Sequence, residues 1–377
     1  MVTVTRRGFV VLGAIASGAF FLGGCASRAS VPDVPRLSSV PVVDQLILTA
    51  VVDNNYDTFA RAQKLDNLTV QRTPLGGSAP LLAEHGLAMH LASARGAERK
   101  EMLLDFALTW RTLTNNYAGT KIDPAPVDAL ILSHGHLDHY GALPDLVKAE
   151  GAWKGKGLTL YAGGQDTFCH RWVVGADGQK QDFGQLDQAA LEASGVKVVL
   201  GEQAQVVEGH AVTSGQIERL TDFEAVTPSF RLEAGAPSSV CGVPNLHFPN
   251  GVVNKEVAPG ELIPDIMWGE HATAFNVKNR GLVVISSCGH AGIVNTVRQM
   301  QQVTGIEKVH AIVGGWHLAV SPDDVVDKTV KAIKDINPDY ILPMHCTGLN
   351  TITAISREMP SKLIQPSAGT RLVFGVV

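Results

Sequence analysis

Positive charge is scarce in this chain, whose 31 lysines and arginines are outnumbered by 36 aspartates and glutamates. Residues 1–24 carry only Arg6 and Arg7, so without them the net charge moves from −5 to −7. A mildly acidic body lacks the cationic footprint that neutralises a phosphate backbone, which argues against nucleic acid as a partner. Membrane-spanning length is lacking too: the apolar stretch Val10–Gly24 is too short and too rich in glycine for a confident span. No internal repeat or low-complexity tract is present, which argues against a solenoid. Cysteines number five, and their spacing specifies no disulfide framework. What is present is an ordinary globular balance, 45% hydrophobic and 18% charged over 377 residues, enough for one large domain or two modest ones.

The N-terminus reads as a targeting segment. Thr5-Arg6-Arg7-Gly8-Phe9-Val10 is a twin-arginine pattern, and Val10–Gly24 fits the apolar region of a signal peptide over residues 1–24. Leu22-Gly23-Gly24-Cys25 resembles a lipobox, whose cysteine is lipidated after cleavage; the alternative is an ordinary cleavable signal with Cys25 incidental. Residues 25–41, rich in Ser, Pro and Arg, read as a linker to a domain over 42–377. The expected location is the periplasm or cell envelope, with the twin-arginine translocation machinery as partner and the membrane reached through the lipid anchor. If Cys25 is lipidated, an even number of cysteines remains in a compartment that permits disulfides.

Strand and helix signals are clearest in the C-terminal third. Residues 42–52 and the apolar run 127–133 (VDALILS) read as strands, the second buried on both faces. Residues 281–287, 308–313 and 339–344 also read as strands. Helices are expected over 293–304, stopped by Gly305, and from an N-cap at Ser321 with Pro322 in first position. This rhythm predicts parallel strands with helices packed on a sheet face. Residues 151–270 show no clear period and read as strands with large loops, or as an insertion capping the site.

Ligand-type residues cluster where strands end. The run VDALILS leads into Ser133-His134-Gly135-His136-Leu137-Asp138-His139. Side chains two apart in extended backbone share a side, so His134, His136 and Asp138 can converge while His139 turns to a neighbouring point. Imidazole and carboxylate suit zinc, iron or manganese. The later strands deliver Cys288-Gly289-His290, Trp316-His317 and His345-Cys346 just past their carboxyl ends, the rim where parallel α/β sheets bind ligands.

These motifs resemble the metallo-β-lactamase-like superfamily. More narrowly, they resemble the branch that holds the archaeal pterin-forming ribofuranosylaminobenzene-phosphate synthase and many metal-dependent hydrolases. Ala83-Glu84-His85-Gly86-Leu87, Thr213-Ser214-Gly215 with Arg219 and Glu224, Cys288–Asn295, Gly314–Leu318 and His345–Gly348 carry the likeness beside the HxHxDH run. The resemblance implies a four-layered αββα sandwich with one or two divalent metal ions, zinc by preference. His134 and His136 would serve one position; Asp138, His139 and His345 the other. His290 stands where most of the superfamily has a bridging aspartate, and an imidazole cannot bridge as a carboxylate does. As third partner of His134 and His136 the sequence offers His271 first and His210 second, with a supporting role behind the ligands as the alternative for His271. Asp105-Phe106-Ala107 departs from the Asp-Thr-Gly common in the family.

The implied chemistry is hydrolysis of a small-molecule ester, amide, thioester or phosphoester by water activated at the metal, with Asp138 orienting that water. His317, Glu84 and His85 are candidates for the proton donor by resemblance. Two rivals remain in view, a non-hydrolytic pterin-type synthase and an envelope lipoprotein that only binds metal or ligand.

Overall fold

The computed structural model describes residues 34–74, 80–149, 157–224, 230–235, 241, 246–248, 251–253 and 258–375. The signal segment and Cys25 lie outside the described residues. Among these residues no helix is long and apolar enough to cross a membrane.

Two large mixed sheets face each other. One runs Lys197–Leu200, Thr159–Ala162, Ala129–Leu132, Glu98–Leu104, Ala88–Arg95, Gln45–Val52, Thr370–Gly375, Leu68–Arg72 and Gln63–Leu65. The other runs Gln205–Val207, Ala211–Thr213, Thr273–Val277, Gly281–Ser286, Val309–Gly314 and Tyr340–Pro343, with Val42–Val43 pairing in parallel to Thr273–Val277. Leu46, Leu48, Leu91, Phe275, Val283, Ile285 and Val313 fill the space between them. On the outer face of the first sheet, Leu103, Leu130 and Leu132 pack with Leu113 and Tyr117 of the helix Trp110–Thr120 and with Leu143 and Leu146 of Leu143–Ala149. On the outer face of the second, Val284 and Ile312 pack with Val294, Val297 and Met300 of Ile293–Thr304, Val330 and Ile333 of Asp323–Ile336, and Ile355 of Leu349–Glu358. This is the four-layered αββα sandwich expected from the sequence. All four residues of Ala129–Leu132 are buried, as its unbroken apolar run requires.

The parallel trio Gly281–Ser286, Val309–Gly314 and Tyr340–Pro343 follows the predicted rhythm. Gly305 ends the helix Ile293–Thr304 in a left-handed conformation, φ 69°. The next helix starts one residue later than read. Pro322, not Ser321, is its N-cap, because the Val325 and Val326 N–H groups both donate to the Pro322 carbonyl.

Two other expectations change. Residues 34–41 are not a free tether: the Leu37 N–H donates to the Val303 carbonyl, and Val34, Leu37 and Val40 pack on the outer core. Residues 151–270 are not one insertion. Thr159–Ala162 and Lys197–Leu200 extend the first sheet, and Gln205–Val207 and Ala211–Thr213 extend the second. What stands apart is a four-stranded sheet, Lys180–Gly184, Arg171–Val174, Phe230–Glu233 and Leu262–Pro264. Beside it the disulfide Cys169–Cys241 closes.

Candidate metal centre

The strand Ala129–Leu132 ends at the rim of the sandwich, and Ser133–His136 leads into the one-turn helix Leu137–Tyr140. Gly135 is required there, since a Cβ would stand 2.1 Å from the Thr167 carbonyl oxygen and 2.4 Å from Arg171 Nη1. Asp105, at the end of Glu98–Leu104, is buried and holds the loop. Its Oδ1 accepts from the Ser133 N–H (2.8 Å), and its Oδ2 accepts from Ser133 Oγ (2.8 Å) and His139 Nδ1 (2.7 Å). His139 is thereby fixed with Nε2 turned inward. Despite the departure from the family pattern, Asp105 and Ala107 adopt the left-handed conformation, φ 58° at each, so the supporting turn is intact.

His345 is mounted similarly. Its backbone N–H donates to Asp53 Oδ1 (2.8 Å) and its Nδ1 to Asn54 Oδ1 (2.9 Å), which leaves Nε2 facing His139 Nε2 at 3.2 Å. Two nitrogens bound at about 2.0–2.1 Å around one tetrahedral ion stand roughly 3.3 Å apart. Asp138 Oδ2 lies 3.3 Å from His345 Nε2 and 3.6 Å from His139 Nε2. These three form one ligand group.

The rings of His134, His136 and His290 form a second cluster, in which the donor atoms of His134 and His290 lie within 4.8 Å of each other and of Cys288 Sγ. Ring centroids are 4.6 Å apart for His134–His136, 4.9 Å for His134–His290 and 4.7 Å for His136–His290. Glu270 holds the turn that presents His290, accepting from the N–H groups of His290 (2.8 Å) and Ala291 (2.5 Å). Glu224 accepts from Val294 and Asn295 at the start of the next helix, and Arg219 donates to the His290 carbonyl (3.3 Å). Gly292 sits at φ 95° with Glu224 where a Cβ would be. The likeness segments around Arg219 and Glu224 are therefore scaffolding for His290.

The structure does not place His271 or His210 as the third partner. The His271 N–H donates to the Ser133 carbonyl and its Nε2 to the Leu132 carbonyl (2.8 Å), so its ring braces the backbone behind the histidine loop. His210 bonds Ser93 Oγ (2.8 Å) and lies 3.5 Å from Glu98. Glu98 starts a strand parallel to Ala129–Leu132, which puts His210 at the opposite rim. His290, with ring centroids 4.9 and 4.7 Å from those of His134 and His136, is the histidine the structure brings beside them instead.

Cys288 Sγ is the shared atom. It lies within 4.8 Å of the donor atoms of His134 and His290, and likewise of those of His139 and His345. Cys288 is thus more than a neighbour of His290 at a strand end. Cys346 Sγ is 3.1 Å from Cys288 Sγ, and His317 Nδ1 is 3.5 Å from it. The His317 ring stacks near His290 at 4.1 Å. His317 and His345 both hold left-handed backbone, φ 49° and 47°, a region uncommon for non-glycine residues.

Among the described residues, His134 Nε2, His136 Nε2, His290 Nε2 and Asp138 Oδ1 are buried without a hydrogen-bond partner. Buried polar atoms rarely go unmatched, and this convergent set fits a divalent ion. Burial pushes His136 down to about 4 and, with the neighbouring His139 and His136, holds His134 well below its ordinary value. Both are neutral donors at physiological pH. Burial would raise Asp138, but His139 and His345 hold its carboxyl well below the usual range.

The surroundings are asymmetric. Phe230 stacks on His136 at 4.1 Å and 28°, with Phe183 edge-on at 5.3 Å. Beneath, Asp265 Oδ2 is 3.8 Å from His136 Nε2 and accepts from Arg171 Nε at 2.7 Å. On the other side, His85 Nε2 reaches Asp138 Oδ2 at 3.3 Å with its side chain 64% exposed. Asp53, Asn54, Arg171, Phe183, Phe230 and Asp265 went unnoticed as site residues. The first two follow a strand ending at this rim, so the strand-end rule could have found them; the cap residues carry no such signal.

Residues 96–216 match the family model of the metallo-beta-lactamase superfamily. The chain is 25% identical over 317 residues to a 7,8-dihydropterin-6-methyl-4-(beta-D-ribofuranosyl)-aminobenzene-5'-phosphate synthase of Methanocaldococcus jannaschii, covering 82% of this chain and 98% of that one. An uncharacterised protein of the same organism is 23% identical over 230 residues, 61% of this chain and 73% of its own. Among solved structures, a metal-dependent hydrolase of the beta-lactamase superfamily superposes with a TM-score of 0.61 at 20% identity, over 86% of this chain and 98% of that chain. With its sandwich, its HxHxDH loop and these likenesses, the chain carries a metallo-β-lactamase superfamily domain and has that superfamily's fold.

Proposed function

We propose that this chain is an exported, metal-dependent hydrolase acting on an ester, phosphoester or related bond of a small molecule. The observation that carries the reading is the set of buried donor atoms with no protein partner, gathered next to a carboxylate that touches the exposed side chain of His85. His139, His345 and Asp138 would hold one divalent ion, and His134 and His290, with His136 beside them, a second, with Cys288 close to both. Zinc suits this nitrogen-and-sulfur set best. Such an ion, when bound, supplies Lewis acidity and acidifies water toward neutral pH.

The chain's own groups do the rest. Asp138 Oδ1, free of partners, can accept a proton from water while Oδ2 stays among His85, His139 and His345. Phe183 and Phe230 cover the face of His136 and exclude water there. His85 is the better-placed proton carrier of the candidates, being exposed and in contact with Asp138. Glu84 is committed elsewhere, accepting from the Leu108 and Thr109 N–H groups and Thr109 Oγ1. His317 faces the sulfurs.

Export is supported by the twin-arginine pattern and by the disulfide Cys169–Cys241, since disulfides persist in oxidising compartments. Arg6→Lys with Arg7→Lys should leave the protein in the cytoplasm; normal appearance of the mature form in the envelope refutes this. Elemental analysis of the purified protein, followed by a screen of phosphodiester, lactone and thioester substrates, tests the activity. A metal-loaded protein inert on all three classes overturns the hydrolase reading. Similarity to the archaeal synthase favours a second reading, a non-hydrolytic condensation. It predicts joined rather than water-cleaved products, which mass spectrometry distinguishes.

A further inference from the structure

The described part of this chain has two cysteine pairs in different states. Cys169 and Cys241 are joined, whereas Cys288 and Cys346 are free, buried, and have sulfurs 3.1 Å apart. A disulfide bond is about 2.05 Å long, so roughly 1 Å of sulfur movement separates the free pair from closure. Nothing in the hydrolytic reading needs Cys346. Its sulfur accepts from the His317 N–H (3.3 Å) and lies 3.3 Å from the Cys288 carbonyl oxygen, which holds it facing its partner. Cys288 Sγ is the atom common to both histidine groups.

We propose that Cys288 and Cys346 are a covalent modification site for small-molecule disulfides, open only when metal is absent, whose oxidation removes the thiolate shared by the two metal positions. The inference rests on the metal-centre reading above. In the step itself, one sulfur of the pair, as thiolate, attacks the S–S bond of the oxidant and releases one thiolate. The other displaces the remaining half and forms the Cys288–Cys346 bond. Two electrons and two protons leave the pair, and the oxidant is reduced to two thiols. A sulfur engaged in that bond has no thiolate charge to give a metal. Bound metal protects by the same logic, because a coordinated thiolate is not free to attack. A chain that acquires one disulfide in its working compartment meets oxidants of this class, so metal occupancy would keep the second pair open.

The test uses the full mature chain, metal-loaded and chelated, each exposed to hydroxyethyl disulfide. Peptide mass mapping reads the Cys288–Cys346 linkage, with Cys169–Cys241 linked throughout as internal reference. Zinc re-uptake is then measured by elemental analysis. The linkage is expected in the chelated protein alone, with zinc uptake reduced by more than about tenfold and restored by a thiol reductant. Cys346→Ser cannot form the internal bond; any zinc uptake it loses after oxidant treatment should track a mixed disulfide at Cys288 in the same mass map, and it should take up zinc normally wherever that adduct is absent. Two alkylatable thiols in the treated, chelated protein overturn the proposal, as does a linked protein that binds zinc undiminished. Absence of metal from the freshly purified protein would instead sink the metal-centre reading, so the two failures are told apart.

Discussion

The two halves of the metal centre are built from the same residue types and sit in opposite surroundings. His139, His345 and Asp138 form the open half, so called because Asp138 meets the exposed side chain of His85. His134, His136 and His290 form a half lidded by Phe183 and Phe230 and underlain by the buried pair Arg171–Asp265. The first half is set by short hydrogen bonds from carboxylates and amides at strand ends. The second depends on a sheet that lies outside the sandwich. The contrast lies in the neighbours and not in burial: His345 and His290 are each 6% exposed, but Asp138 touches the exposed His85 while aromatic rings cover His136.

The strongest break of this comparison is His136→Ala. It removes a buried donor of the lidded half and leaves His139, His345 and Asp138 untouched. Activity should fall by more than about a hundredfold, beyond the range seen when only a supporting residue is lost, with one metal equivalent missing and the fold kept. Circular dichroism, elemental analysis and turnover together check it. Full metal content with near wild-type turnover would mean that the lidded half is not a metal position.

Arg171→Met comes next and tests the underpinning. Arg171 is 1% exposed, donates to Asp265, lies 3.7 Å from Asp166, and reaches the carbonyls of Thr167 and Cys169. Burial would raise the Asp265 carboxyl, yet Arg171 and His136 hold it far below its ordinary value. Removing the cation leaves buried carboxylates uncompensated, a change that costs about 3–5 kcal/mol. Denaturant midpoints read the loss. Zinc titration should show the lidded position weakened more than the open one. A loss under about 1 kcal/mol would mean that the network does not anchor the lid, a result expected only where desolvation offsets the pairing.

The same division explains what could be read from the sequence. The open half and the loop Ser133–His139 were legible because they obey one rule: an apolar run of strand length, then a ligand-type residue at the strand's carboxyl end. Gly281–Ser286 with His290 and Tyr340–Pro343 with His345 obey it too. The rule gives location but not direction. It could not tell that His290 turns toward His134 and His136, nor that Cys288 lies between the groups, because a two-residue turn at Gly289 decides which side chain faces inward. His271 misled for a related reason. A histidine just before a central strand has the right address, yet its ring meets the Leu132 carbonyl and is used up there. The cap was illegible because its strands are short, three to five residues among those described, and beyond the local hairpin Arg171–Val174 with Lys180–Gly184 they pair across long sequence separations. Asp265 and Phe230 acquire meaning only once that sheet is assembled over His136.

The smallest effect is expected from His85→Ala, and it sharpens the open half. Asn54 Nδ2 lies 3.3 Å from His85 Nδ1 and donates to it, which places the ring proton on Nε2, toward Asp138 Oδ2. The same Asn54 accepts from His345 Nδ1 through its Oδ1, so one amide orients both rings. A ring that donates from Nε2 is a hydrogen-bond partner of the carboxylate and not a donor of electron pairs to metal. An exposed contact of this kind contributes little to stability, on the order of 1 kcal/mol or less. His85→Ala should therefore keep both metal equivalents and the melting temperature, and lower turnover by less than about tenfold, chiefly where proton delivery limits the rate. Added imidazole should recover part of the loss. Should the variant instead lose one metal equivalent with no rescue, His85 is a ligand of the open position, and the solvent route to Asp138 must pass elsewhere.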